Sequence, residues 1–246
     1  MQKPVDGLGA DRVYYVLPQV GCFLTLAVLA TFCLLTQLFV DLMQTALARL
    51  HLSPEMATLA MVGMLLGGLI NLPLTRIQRD EEQTISRGAL YGTMGWVPVV
   101  ERHTNQTILA VNVGGCVVPV FLAIYLISIV LQESSRVQLA LLIASAANIF
   151  ACYRVARPIP GVGIAMPGFV SPIVSVGLAW LLLASPEFQY LRAPVAFVAG
   201  VAGPLIGADL LHCRDFSRIS ASVVSIGGAG TFDGIVLSGL LAALLA

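Results

Sequence analysis

Charge is what this sequence has least of. Only 11% of its 246 residues are Asp, Glu, Lys or Arg, against about 25% in an average soluble domain. Hydrophobic residues make up 58%, and the mean hydropathy is +0.91. Too little polar surface remains to coat a globule of this size. The 13 basic and 13 acidic residues cancel, so no basic face exists for nucleic acid, and that partner is excluded. Cys22, Cys33, Cys116, Cys152 and Cys213 are scattered, without a CxxC pair or metal-type spacing to His51, His103 or His212. They read as small hydrophobes, and neither a metal nor a cofactor is implied. No polar stretch is long enough to fold separately, so residues 1–246 read as one polytopic membrane domain.

What is present is a series of apolar runs, several longer than the roughly 18 residues that a bilayer crossing needs. Their spacing predicts an all-α integral membrane protein of seven transmembrane helices, near 15–38, 54–74, 106–131, 136–153, 168–184, 192–211 and 219–245. The first run follows Lys3 and Arg12 and lacks a small-residue cleavage site, so it reads as a retained anchor. The second opens on Ser53-Pro54-Glu55, a hydroxyl cap followed by a proline where a missing N–H costs nothing. Between these two, Leu42, Met43, Ala46, Leu47 and Leu50 suit a short helix lying on the membrane surface.

Basic residues orient the spans, because retained loops carry excess Lys and Arg on the cytoplasmic side. Lys3, Arg12, Arg76, Arg79, Arg87, Arg102, Arg154, Arg157, Arg214 and Arg218 fall on the N-terminal side, and only Arg49, Arg136 and Arg192 on the other. Ten against three places the N-terminus inside, the C-terminus outside and the protein in the cytoplasmic membrane. Residues 157–172, rich in proline and glycine, form either a re-entrant loop or a surface linker, since such backbone is tolerated at membrane depth only beside protein or water.

An ionisable side chain within a span costs about 2.5 kcal/mol or more and needs a reason. Apart from Glu55 at the start of the second span, Asp209 and Asp233 are the carboxylates that fall inside spans, on consecutive antiparallel helices, each after glycines that weaken the helix. Asn71 and Asn112 lie beside Gly or Pro breaks, and with Pro119 seven residues on, the third span is expected to be kinked or unwound near its middle. Asn148 reads as a hydrogen bond between packed helices. Gly67–Leu74 aligns with Gly203–Leu210, and Val111–Gly115 with Val224–Gly228, which suggests a parallel internal repeat that gathers polar breaks around one centre. Gly227, Gly228 and Gly230, followed by Thr231, predict a break in the last span between 226 and 231.

Ile70-Asn71-Leu72-Pro73-Leu74, Val111-Asn112-Val113-Gly114-Gly115, Arg157–Gly163, Ile206–Leu211 and Ser225–Gly234 together resemble an uncharacterised family of bacterial and archaeal polytopic membrane proteins. That resemblance implies a membrane fold and no known activity. A weaker likeness is to intramembrane aspartyl proteases of the presenilin and signal-peptide-peptidase type. Phe232-Asp233 and Gly207-Ala208-Asp209 are similar to their two aspartate motifs, in reversed order and without a following Pro-Ala-Leu element.

Two functions therefore stand open. In the first, Asp209 and Asp233, with Asn71, Asn112, Ser225 and Thr231, bind a proton, cation or small polar solute. No Gly-x-x-x-x-Gly-Lys-Ser/Thr loop is present, so such transport is passive or ion-coupled. In the second, Asp209 and Asp233 form a proton-sharing dyad that cleaves a membrane-embedded peptide. Continuous helices would set Asp209 about 7 Å and Asp233 about 22 Å from the cytoplasmic boundary, so the dyad requires the last span to be broken. Assembly of identical subunits stays open.

Overall fold

A computed structural model describes residues 19–85, 99–159, 163–213, 223–228 and 234–246. It divides into two units, Met1–Asp41 and Leu42–Ala246. The protein is mostly helical, and four helices among the described residues are long and apolar enough to cross a membrane: Gly21–Ala48, Val113–Val130, Ser135–Val155 and Pro186–Leu210.

The described part of the first unit belongs to helix α1 (Gln19–Ala48). Phe23, Leu24, Phe32 and Leu34 are each more than 60% exposed, as suits a helix facing hydrocarbon. Its threonines do not disturb that surface. The hydroxyls of Thr25, Thr31 and Thr36 each donate to the carbonyl four residues earlier, at 2.8 Å, which removes an otherwise unsatisfied polar group.

The second unit begins with the end of the same helix. No separate surface helix forms at 42–50. Met43, Ala46, Leu47 and Leu50 are at most 1% exposed and belong to the protein core. The same apolar stripe serves a lipid surface or a protein interior, and here it meets protein. Helix α2 (Pro54–Gly67) starts as its sequence predicts, with the Met56 amide donating to Ser53 Oγ at 3.2 Å.

The predicted boundaries fail next, over residues 68–112. The second helix stops at Gly67 rather than 74, and Asn71 opens strand β1 (Asn71–Ile85). This strand pairs antiparallel with β2 (Val99–Asn112), Asn71 opposite Asn112, with an irregularity at Pro73/Thr75. A proline has no N–H for a ladder, so a slip there is expected. Residues 106–112, predicted as the start of the third span, are therefore strand. The run Thr107-Ile108-Leu109-Ala110-Val111 is as apolar as a helix start, but its β-branched residues suit a pleated surface. Strands of 15 and 14 residues pair 71–85 with 99–112 as an antiparallel ribbon.

A π-helical turn, Val113–Val117, leads into α3 (Val118–Val130), with Pro119 in its first turn rather than kinking its middle. Helix α4 (Ser135–Val155) follows the predicted fourth span closely. Residues 157–172 contribute a two-stranded ribbon, β3 (Arg157–Ile159) against β4 (Gly163–Ala165), before α5 (Val170–Leu182). A 3₁₀ segment, Pro186–Leu191, then runs into α6 (Arg192–Ala202) and a π-helical end, Gly203–Leu210. Strand β5 (Val223–Ile226) pairs parallel with β2, making the order β1-β2-β5, and α7 (Gly234–Leu245) ends the chain. The predicted last span is thus interrupted: strand β5 ends at Ile226, Gly227 follows at φ +79°, and the helix begins only at Gly234.

Helix α6 is the centre of the fold. Every residue from Ala193 to Val201 is buried, and α3, α4, α5 and α7 all pack on it. Small residues make this close packing feasible. A Cβ on Gly200 would sit 2.9 Å from the Ser238 carbonyl oxygen, and one on Gly239 only 2.8 Å from Val201 Cγ2. Helices α2, α5 and α7, at 14, 13 and 12 residues, reach about 18–21 Å and fall short of the roughly 30 Å hydrocarbon core.

Candidate functional site

Two polar clusters stand out in this apolar structure. The first lies where α2, β1, β2 and β5 meet. Asn112 ends β2 and caps the π turn, with Oδ1 accepting from the Gly115 amide at 2.6 Å. Its Nδ2 donates to the Gly68 carbonyl at 2.7 Å and to Asn71 Oδ1 at 3.1 Å. Ser225 Oγ, from β5, donates to the same Asn71 oxygen at 2.6 Å. Asn112 is 1% exposed, while Ser225 is half-buried and Asn71 exposed. The residues are drawn together by strand pairing, since Asn71 opposes Asn112 and Ser225 opposes Ala110.

Glycine makes this junction tight enough. A Cβ on Gly115 would overlap the carbonyl oxygen of Gly227, and one on Gly114 would overlap the Met64 carbonyl and the Gly68 amide. The pairs Gly67-Gly68, Gly114-Gly115 and Gly227-Gly228 therefore act together, letting three backbones touch. With both Asn71 Oδ1 lone pairs accepting and the Asn112 amide fully engaged, Asn112 is a positioning residue. The Asn71 Nδ2 group has no partner among the described residues, so the cluster can offer an N–H and the Ser225 oxygen to a solute.

The second cluster joins three helices inside the bundle. Asn148 Nδ2 on α4 donates to Ser171 Oγ at 2.9 Å and to the Ala199 carbonyl at 2.7 Å. Ser171 Oγ donates to the Gly200 carbonyl at 3.0 Å. Pro204 has no N–H to return to Gly200, so an α-helical partner is missing there and the serine hydroxyl serves it. Asn148 is the interhelical hydrogen bond that its context predicts, and Gly203 leaves it room, because a Cβ there would overlap Nδ2.

Asp209 joins neither cluster. It is half-buried on the π-helical end of α6, which packs mainly against α4. Just beyond it, His212 Nδ1 donates to the Ala208 carbonyl at 3.0 Å, and its ring lies 4.9 Å from that of Tyr153. Thr231 and Asp233 lie outside the described residues, between Gly228 and the first residue of α7, Gly234. No group of His, Cys, Asp or Glu among the described residues could hold a metal ion.

Residues 65–245 match the family model described as "Protein of unknown function (DUF1614)". The chain belongs to this family. The family region starts near the end of α2 and takes in every residue of both clusters, leaving α1 and most of α2 outside. No curated protein and no solved structure matches. The family thus agrees with the resemblance carried by the Asn71, Asn112, Asp209 and Ser225–Gly234 motifs, while the likeness to intramembrane aspartyl proteases is not supported and is set aside.

The motifs singled out in the sequence name part of each cluster but hide the partners. Gly68, Gly115, Ser171, Ala199 and Gly200 complete the two clusters, and all but Ser171 contribute only backbone groups. The paired glycines are the signal that could have found the first two.

Proposed function

We propose that this protein moves a proton, cation or small polar solute across the cytoplasmic membrane, passively or coupled to an ion. The observation that carries the proposal is the Asn71–Asn112–Ser225 cluster, built at an interruption of apolar helices from three segments far apart in sequence. In hydrocarbon, non-helical backbone is stable only where protein or water satisfies it. The cluster is polar and partly open, which favours water beside it. Short, interrupted helices such as α2 and α7 are also what transporters place around a solute site.

In this reading Asp233 and Thr231, three to five residues beyond Gly228 and directly before α7, supply the ionisable and hydroxyl groups. Asn71 and Ser225 bind the solute by hydrogen bonds, Asn112 holds the junction together, and Asp209 is a second titratable group along the path. The proposal includes seven crossings with the N-terminus inside. It also includes a parallel repeat, supported by one of its two motifs. Strands β2 and β5 lie side by side and parallel, and each ends near a Gly pair. The other motif is less alike, since residues 71–74 are strand and 207–210 are π-helical.

The test is flux into liposomes containing the purified protein. Pyranine reports protons, a sodium dye reports sodium, and light scattering reports urea and glycerol. At least one should move faster than in protein-free vesicles, and Asp233→Asn should lower that rate about tenfold or more while melting with the wild type. Absence of flux for all of them, or an unchanged rate in Asp233→Asn, would overturn the proposal.

A further inference from the structure

We propose that the groove between the end of α4 and the β3–β4 ribbon binds an anionic glycerophospholipid. It is an open cavity of about 460 Å³ whose lining combines two basic side chains, Arg154 and Arg157, with the apolar Val155, Ile159, Ala165, Met166 and Pro167. Both arginines are exposed, and neither has an ion-pair partner among the described residues.

Position and chemistry select the occupant. Arg154 lies in the last turn of a 21-residue apolar helix about 32 Å long, so it sits at one boundary of the bilayer, at the depth of lipid phosphates. Two guanidinium groups offer planar forks of N–H donors, the geometry that suits a phosphate. The apolar lining would give a free inorganic anion nothing, whereas an acyl chain laid against it leaves water. A phosphate joined to an acyl chain satisfies both kinds of lining residue.

The far end of the bundle supplies a contrast. There Arg136 lies 5.4 Å over the Phe188 ring, and Arg192 lies 5.3 Å over Trp180. Arg192 also donates to the carbonyls of Leu183 and Ala184, at 2.8 and 3.1 Å. Those arginines are committed to the protein's own structure. Arg154 and Arg157 face outward beside an apolar groove, which is how basic side chains recognise anionic headgroups at a membrane surface.

Native mass spectrometry of the full chain in detergent tests this, with phosphatidylglycerol, phosphatidylcholine and inorganic phosphate offered separately. The wild type should retain phosphatidylglycerol in preference to phosphatidylcholine, and phosphate should not displace it. R154Q/R157Q should weaken retention about tenfold or more, R154K/R157K, which keeps the charge but not the forks, should fall between that variant and the wild type, and R136Q should behave as the wild type. If the double variant misfolds, R154Q and R157Q separately should each weaken retention. Wild-type retention in the Gln variants, or displacement by phosphate alone, would overturn the proposal.

Discussion

Gly115→Ala probes the junction most directly. A Cβ at this position would overlap the Gly227 carbonyl oxygen and approach its carbon at 2.7 Å. Both are backbone atoms, so no side-chain rotation relieves the clash. Overfilling a packed site costs about 1–3 kcal/mol. Moving the two segments apart also strains the 2.6 Å bond between the Gly115 amide and Asn112 Oδ1, and losing a buried bond of this kind costs about 1–3 kcal/mol more. The expected loss is about 2–6 kcal/mol, and about 2–4 °C of melting temperature per kcal/mol applies to a chain of this length. Gly115→Ala should therefore melt at least about 4 °C below the wild type in detergent, followed by fluorescence-detected size-exclusion chromatography. Gly177→Ala is the matched control. Nothing lies within 4 Å of its added Cβ, and it sits in the interior of α5, where alanine is favoured by about 1 kcal/mol. That variant should melt at or above the wild type. If Gly115→Ala melts within about 1 °C of the wild type, the two backbones do not touch and the account of the junction fails.

Three further outcomes follow from the same geometry. Asn112→Ala should cost about 1–3 kcal/mol, and Asn112→Asp more, because a carboxylate would turn an acceptor toward the Gly68 carbonyl and Asn71 Oδ1; equal melting of wild type and Asn112→Asp would contradict this. Asn148→Ala should lower the melting temperature by a few degrees, since interhelical bonds in membranes are worth about 0.6–1.7 kcal/mol, and Asn148→Leu, similar in shape to Asn but without its amide, should also melt below the wild type because the Ser171 hydroxyl and the Ala199 carbonyl lose their donor. An alkaline phosphatase fused after Ala246 should be active outside the cytoplasm, whereas one inserted between residues 86 and 98 should be silent; activity at both sites would refute the proposed topology.

The membrane class was legible in the sequence because hydropathy is a local sum, and so was the start of α2, because a cap is made by neighbours in the chain. The interruption before α7 was legible for the same reason: a Gly-Gly pair weakens a helix wherever it stands. Residues 71–74 and 106–112 were not legible as strands. Their apolar content is that of a helix, and only the pairing of Asn71 with Asn112, 41 residues apart, decides between the two. Asn71, Asn112 and Ser225 could be singled out one by one as polar residues beside breaks, yet their convergence on one amide oxygen depends on β1, β2 and β5 lying side by side. Likewise the stripe Met43, Ala46, Leu47 and Leu50 reads as an apolar face in any setting, and tertiary contact alone sends it into protein rather than lipid. Composition and spacing describe what each segment tolerates. Which segment meets which is decided by long-range backbone pairing and by the glycines that allow the backbones to touch.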